Sequence, residues 1–164
     1  MTNIERAYMI AEKAHRNQSY DIYTYMFHIR MVAGIAESLG FDEIIIIACI
    51  LHDTIEDTDI TYNDIKKAFN EEIAEIVYAV TDELGRNRKE RKGKTLPKIR
   101  NNWKAVVVKI CDRIGNMTHS KSYNKDKFKM YTKEYATFRK EITNPEHKKR
   151  EISIAWVELE KIIA

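Results

Sequence analysis

The stretch Asp42-Glu43-Ile44-Ile45-Ile46-Ile47-Ala48-Cys49-Ile50-Leu51-His52-Asp53-Thr54-Ile55-Glu56-Asp57 decides how the chain is read. An aspartate suited to cap a helix opens it, and the run Ile44 to Leu51 is apolar nearly all round, which places the helix at the centre of a helical core. That run is far short of the roughly 20 residues a bilayer span needs. Where the core should continue, the sequence presents His52-Asp53 and then Glu56-Asp57. Burying four ionisable groups costs several kcal/mol each unless something compensates them. A divalent cation is the economical answer. On a continuing helix His52 and Glu56, and likewise Asp53 and Asp57, would face the same way, so one layer can bind metal while the next positions water.

Outward from this stretch the apolar spacing is mostly helical. Met31, Ile35 and Leu39 form a stripe ended by Gly40, and Ile4, Ala7, Tyr8, Ala11 and Ala14 form another. Downstream, Thr61 with Asp64 opens a short helix to Phe69, and Glu71 to Thr81 forms the next, with Ile73, Ile76, Val77 and Val80 inward. From Leu84 to Lys94 the periodicity collapses into Gly, Asn, Arg and Lys, which predicts a loop. Helical spacing resumes by about Asn101. The run Ala105 to Val108 is read as helix because no partner strand occurs elsewhere. Two last helices, about 126–142 and 146–163, are separated by Asn144-Pro145, with the proline at a helix start. The expectation is a single all-α domain, 1–164, of about seven or eight helices.

The 28 Lys and Arg against 25 Asp and Glu leave a net charge of only +3, but this is a cancellation. Residues 42–83 hold 12 acids and 2 bases, whereas residues 84–150 hold 21 bases and 6 acids. Solvated helix faces account for such segregation; so does an acidic cluster holding a cation beside a basic wall holding an anionic ligand. Cys49 and Cys111 lie in apolar contexts and belong to no close-spaced metal or redox pair, so they read as buried, reduced small hydrophobes. The first residues, Met1 to Arg6, lack a signal-peptide pattern, and a soluble, cytoplasmic protein with no membrane partner is expected.

Further ligands must come from elsewhere. His28 stands among apolar neighbours in Tyr25-Met26-Phe27-His28; Asp112 follows the apolar Val106 to Cys111, with Asn116 one turn later. Alone, such a histidine is more often a satisfied core residue, and such an aspartate a cap. The ordered set His28, His52-Asp53, Asp112 points to metal. Two imidazoles and two carboxylates suit a borderline divalent ion such as Mn, Fe, Co or Zn with positions open for water.

The motif His52-Asp53-Thr54-Ile55-Glu56-Asp57-Thr58, with Val80-Thr81-Asp82 and later Lys109-Ile110-Cys111-Asp112-Arg113-Ile114-Gly115-Asn116-Met117, resembles the HD-domain metal-dependent phosphohydrolases. Within them it is similar to the RelA/SpoT hydrolase branch, in particular the small alarmone hydrolases of the metazoan SpoT homologue type. The resemblance runs from Ala14-His15-Arg16-Asn17-Gln18 to about residue 140. It implies that His28, His52, Asp53 and Asp112 hold one Mn2+, that Glu56 and Asp57 position or deprotonate the attacking water, and that Asn116 contacts the nucleotide. It implies removal of the 3′-pyrophosphate from ppGpp or pppGpp. A metal-bound water with a nearby carboxylate base is coherent chemistry for that reaction. Lys98, in Thr95-Leu96-Pro97-Lys98, resembles a residue that reaches the substrate phosphate, and Lys127 with Tyr131 resembles a cation and aromatic pair near the nucleotide.

The chain departs from that pattern near the base. It has Ser19-Tyr20-Asp21 where the alarmone hydrolases carry consecutive basic residues, Ile29 in place of a proline, and Thr118 in place of a common arginine. Tyr20 or Tyr23 would then stack on the base instead. The alternatives are an HD phosphohydrolase acting on a dNTP, a nucleoside phosphate or NADPH, and a non-catalytic nucleotide-binding regulator. The intact Glu56-Asp57 pair counts against the regulator, which needs no water-activating carboxylates. No recognised DNA- or RNA-binding motif is present, so nucleic acid is not the expected partner. The oligomeric state, a homo-oligomer included, is left open.

Overall fold

The computed structural model describes residues 1–164. Ten helices carry the fold. They are α1 (Asn3–Ala14), α2 (Tyr25–Ser38), α3 (Glu43–Leu51), α4 (Thr54–Asp57), α5 (Tyr62–Ala68), α6 (Glu71–Val80), α7 (Arg88–Arg100), α8 (Trp103–Tyr123), α9 (Lys125–Ile142) and α10 (Arg150–Ile163). One antiparallel hairpin joins α1 to α2, made of β1 (Ser19–Tyr20) and β2 (Tyr23–Thr24), with Ser19 opposite Thr24 and Tyr20 opposite Tyr23. Asp21 takes φ +56 at its tip.

The central helix forms as its sequence demands. Gly40, at φ +74, ends α2: its N–H donates to Glu37 O and the Phe41 N–H to Ala36 O, a pairing that satisfies two orphan carbonyls and turns the chain. Asp42 Oδ1 then accepts from Ile45 N at 2.9 Å and caps α3. Every residue from Ile45 to Leu51 is buried, and Ile45, Ile47, Ile50 and Leu51 completely so. Each such side chain contributes roughly 1.5–3 kcal/mol by leaving water.

The long α8 lies against α2, α3, α6, α7, α9 and α10. Ala105 to Val108 are buried within it, as the helical reading requires. At Gly115 a Cβ would sit 3.3 Å from Met31 Cε and Val32 Cγ2, so glycine is what lets α8 close on α2 beside the residues they both bring to the site. Cys49 and Cys111 are free and fully buried. No helix is long and apolar enough to cross a membrane.

Four features differ from the sequence expectation. The count is ten rather than seven or eight, partly because the central helix breaks: His52 closes α3, Asp53 has φ −100 and ψ 1, and α4 is a separate single turn. His52 and Glu56 therefore do not share a continuous helix. Residues 88–94, expected as loop, form the first half of α7, where Asn87 caps by accepting from Glu90 N. Arg, Lys and Glu are strong helix formers, and with only Thr95, Leu96 and Ile99 buried there is little apolar periodicity to see. Pro145 does not start the last helix, which begins at Arg150 after a turn. The hairpin was not expected, two-residue strands being too short to alternate visibly.

Candidate active site

The start of α2, the end of α3 and the middle of α8 converge on one point. His28 comes from the first turn of α2, His52 and Asp53 from the break after α3, and Asp112 from the middle of α8. His28 Nε2 lies 3.2 Å from His52 Nε2, 3.1 Å from Asp112 Oδ1 and 3.7 Å from Asp53 Oδ2. His52 Nε2 lies 2.9 Å from Asp53 Oδ2 and 3.4 Å from Asp112 Oδ1. Both histidines and Asp112 are buried. Ligand-type atoms of His28, His52 and Asp53 lie within 4.8 Å of one another, and Asp112 Oδ1 lies within 3.4 Å of both imidazoles, a donor set that could hold a divalent cation.

The surrounding contacts orient these atoms. His52 Nδ1 donates to Cys49 O at 2.7 Å, which fixes the ring with Nε2 inward. Tyr25 Oη donates to Asp53 Oδ2 at 2.6 Å and Lys109 Nζ to Asp112 Oδ2 at 3.0 Å. Asn116 Nδ2 donates to Asp112 Oδ1 at 3.0 Å, while Asn116 Oδ1 accepts from Tyr20 Oη at 2.8 Å. The Tyr20 ring stacks on His28 at 4.6 Å. Burial would pull the His52 imidazole down, but the Asp53 and Asp112 carboxylates overcome it and raise it well above its usual range. Burial likewise would raise Asp112, yet Lys109 and the two histidines hold it well below the ordinary carboxylate value. A cation taking His52 Nε2 as a ligand would have to displace the proton that the two carboxylates favour there.

Glu56 and Asp57 lie on the next turn, on the rim of the same cleft of about 340 Å³. Glu56 Oε1 accepts from Asp82 N at 2.5 Å, which anchors one oxygen and leaves the other for a water. Burial raises both carboxyls, and the Asp82 N–H opposes the rise at Glu56. A raised carboxyl is a better proton acceptor near neutrality.

Lys127 and Tyr131, on α9, line the cleft opposite this pair. Lys98 does not. Its Nζ donates to Thr81 O and Glu83 Oε1, both at 2.8 Å, and rests over the Tyr78 ring, turned away from the cleft. The helical twist of α7 instead brings Arg88 and Lys92 to the cleft, and α8 adds Lys109 and Arg113. Sequence reading assigned those four no role, nor Tyr25 and Asp82. For Lys109 a signal existed, three residues before Asp112 on one helix face; for Arg88 and Lys92 the misread loop hid it.

A family model described as "HD domain" matches residues 7–139. The chain belongs to the HD-domain family. Among curated relatives, this HD domain is 34% identical over 137 residues to guanosine-3′,5′-bis(diphosphate) 3′-pyrophosphohydrolase of Aquifex aeolicus (strain VF5). It is 31% identical over 139 residues to bifunctional (p)ppGpp synthase/hydrolase SpoT of Escherichia coli (strain K12). Each match covers 80% of this chain and 20% of the relative, so the HD domain spans about a fifth of the length of these proteins. A solved structure described as a metazoan ortholog of SpoT that hydrolyzes ppGpp matches with a TM-score of 0.77, over 99% of this chain and 94% of that one, at 21% identity. That likeness is one of fold.

Proposed function

We propose that the protein is a metal-dependent phosphohydrolase that removes the 3′-diphosphate of guanosine 3′,5′-bis(diphosphate), a nucleotide named in the descriptions of its relatives. One observation carries the reading: His28, His52, Asp53 and Asp112 converge on one centre, with Glu56 and Asp57 beside it in a cleft edged by cations. The donor set fits a borderline divalent ion, with Mn2+ the one we favour and Fe, Co or Zn compatible. Such an ion lowers the pKa of a bound water towards neutrality. Glu56, through its free oxygen, and Asp57 would orient the attacking water and take its proton. The water oxygen bonds to the phosphorus that carries ribose O3′, the P–O3′ bond breaks, and O3′ leaves as a hydroxyl after protonation. Lys127 and Tyr131 hold the nucleotide. Asn116, engaged at both ends of its amide, acts through Asp112 as a positioning residue.

The experiment is to incubate Mn-loaded protein with ppGpp, dNTPs and NADPH and identify the products. Pyrophosphate and GDP from ppGpp alone are expected; orthophosphate or triphosphate from another member of the panel would contradict the reading. The panel is broad because Ser19, Tyr20 and Asp21 line a second cavity beside the cleft in which Lys127 is the only strong cation and Asp21 is held by His119 at 3.1 Å.

A further inference from the structure

Behind the cleft, between α7, α8 and α9, lies a larger cavity of about 580 Å³ that the hydrolytic site does not use. Arg88, Lys92 and Arg113 line both spaces and so form the partition between them. Lys92 is neutralised by Asp82 at 2.9 Å. The two arginines share one carboxylate: Arg88 grips Glu134 with both prongs, at 2.7 and 3.0 Å, while Arg113 reaches it only through Nη1 at 3.4 Å.

Arg113 is the anomaly. It is 4% exposed, and its guanidinium lies between the rings of Tyr131 at 4.6 Å and Phe138 at 4.1 Å. Both rings are within cation–π reach of it and pack it in place. Its other donors make no hydrogen bond to the protein and are not sealed from solvent, and the residue borders both cavities. Guanidinium donors that open onto a cavity instead of a protein acceptor are met by water or by an anionic ligand. A planar fork packed against aromatic rings, with donors left to a cavity, matches a pair of phosphate oxygens.

We propose that the edge of Arg113, with Arg88 and Lys92, is a seat for a diphosphate group, and that Glu134 occupies Arg88 until the diphosphate arrives. On binding, Arg88 exchanges the two Glu134 oxygens for phosphate oxygens, and the larger cavity, which Glu134 already lines, takes the displaced carboxylate. Which diphosphate is seated rests on the proposed reaction: the one released, or the one retained on the 5′ position. The seat itself does not, and inorganic pyrophosphate probes it without turnover.

The test titrates metal-free protein with inorganic pyrophosphate and with orthophosphate by calorimetry, at one ionic strength. Wild-type protein should bind pyrophosphate more tightly than orthophosphate. Arg88→Met, at a partly exposed position that does not endanger folding, should weaken pyrophosphate about tenfold, the worth of one charged hydrogen-bonded contact. Glu134→Gln, which keeps the shape and removes the competing charge, should tighten it several-fold. Absence of binding, indifference to Arg88→Met, or weaker binding in Glu134→Gln would overturn the proposal; the last would make Glu134 a scaffold for the arginines. Kinetics then separate the two sources. If Arg88→Met raises KM for ppGpp but not for its 5′-monophosphate analogue, the seat holds the retained diphosphate. If it raises both alike and relieves inhibition by pyrophosphate, the seat holds the leaving group. Loss of all hydrolysis in wild-type protein would sink the proposed reaction while leaving the calorimetric result to judge the seat.

Discussion

The helices α3 and α7 both serve the same cleft, α3 through the residues that follow its end, and they are built on opposite terms. α3 is buried from Ile45 to Leu51 and delivers His52 and Asp53 at its end, so its ligands are set by core packing. α7 buries only Thr95, Leu96 and Ile99 and delivers Arg88 and Lys92 from a charged, partly exposed face. A cation site needs ligand atoms placed to a few tenths of an ångström, which a packed core supplies. Gripping a polyphosphate needs charge and reach, which long flexible cations supply.

Removing a ligand from the packed side should have the largest effect. Asp112→Ala is expected to abolish both metal retention and activity, with affinity falling beyond the about 100-fold that outer-shell partners alone are worth. Elemental analysis after dialysis and a turnover assay check both. Glu56→Ala should keep its metal and lose about 10²–10⁴ in kcat, the usual contribution of a positioned base; near-normal turnover would remove Glu56 from its assigned role.

Stability sharpens the contrast between the helices. Ile50→Ala should cost about 2–5 kcal/mol in denaturant unfolding, as a truncation in a fully buried site does, whereas Lys89→Ala on α7 should stay within about 0.5 kcal/mol. Equal losses would mean that α7 is as much a part of the core as α3. On the cation side, Lys92→Ala should raise KM several-fold while Lys98→Ala, tied outside the cleft, leaves it within about twofold, each fold being a fraction of a charged hydrogen bond.

The smallest effect is protonic. In metal-free protein the His52 imidazole is raised, so its charged form adds stability at and below the ordinary histidine range, and that contribution fades as pH rises through the raised value. Metal needs the neutral ring, so binding must expel protons and affinity must weaken as pH falls. Calorimetry in two buffers of different ionisation enthalpy measures the protons released; none released would contradict the raised value.

The same contrast explains what could be read in advance. Apolar spacing announces buried helices, so α3, α6 and the Ala105–Val108 segment were legible, and His28, His52, Asp53 and Asp112, proposed from the sequence as one ligand set, lie together in the fold. Charge spacing carries no such signal. α7 read as a loop, and with its twist unknown Lys98 stood in for Arg88 and Lys92. The break at His52-Asp53 was hidden for another reason: Thr54, Ile55 and Glu56 are compatible with helix, and only the tertiary demand that both residues reach one centre interrupts it. Asn116 was placed correctly near the site, but its partner Tyr20 comes from a hairpin too short to announce itself.

The most direct test of the central claim follows the water. Mn-loaded protein is given ppGpp in water labelled with heavy oxygen, and the products are separated and weighed by mass spectrometry. The account predicts one labelled oxygen in the pyrophosphate and none in the GDP, in wild-type protein and not in Glu56→Ala with its metal retained. Label in the nucleoside, or release of orthophosphate in place of pyrophosphate, would contradict it.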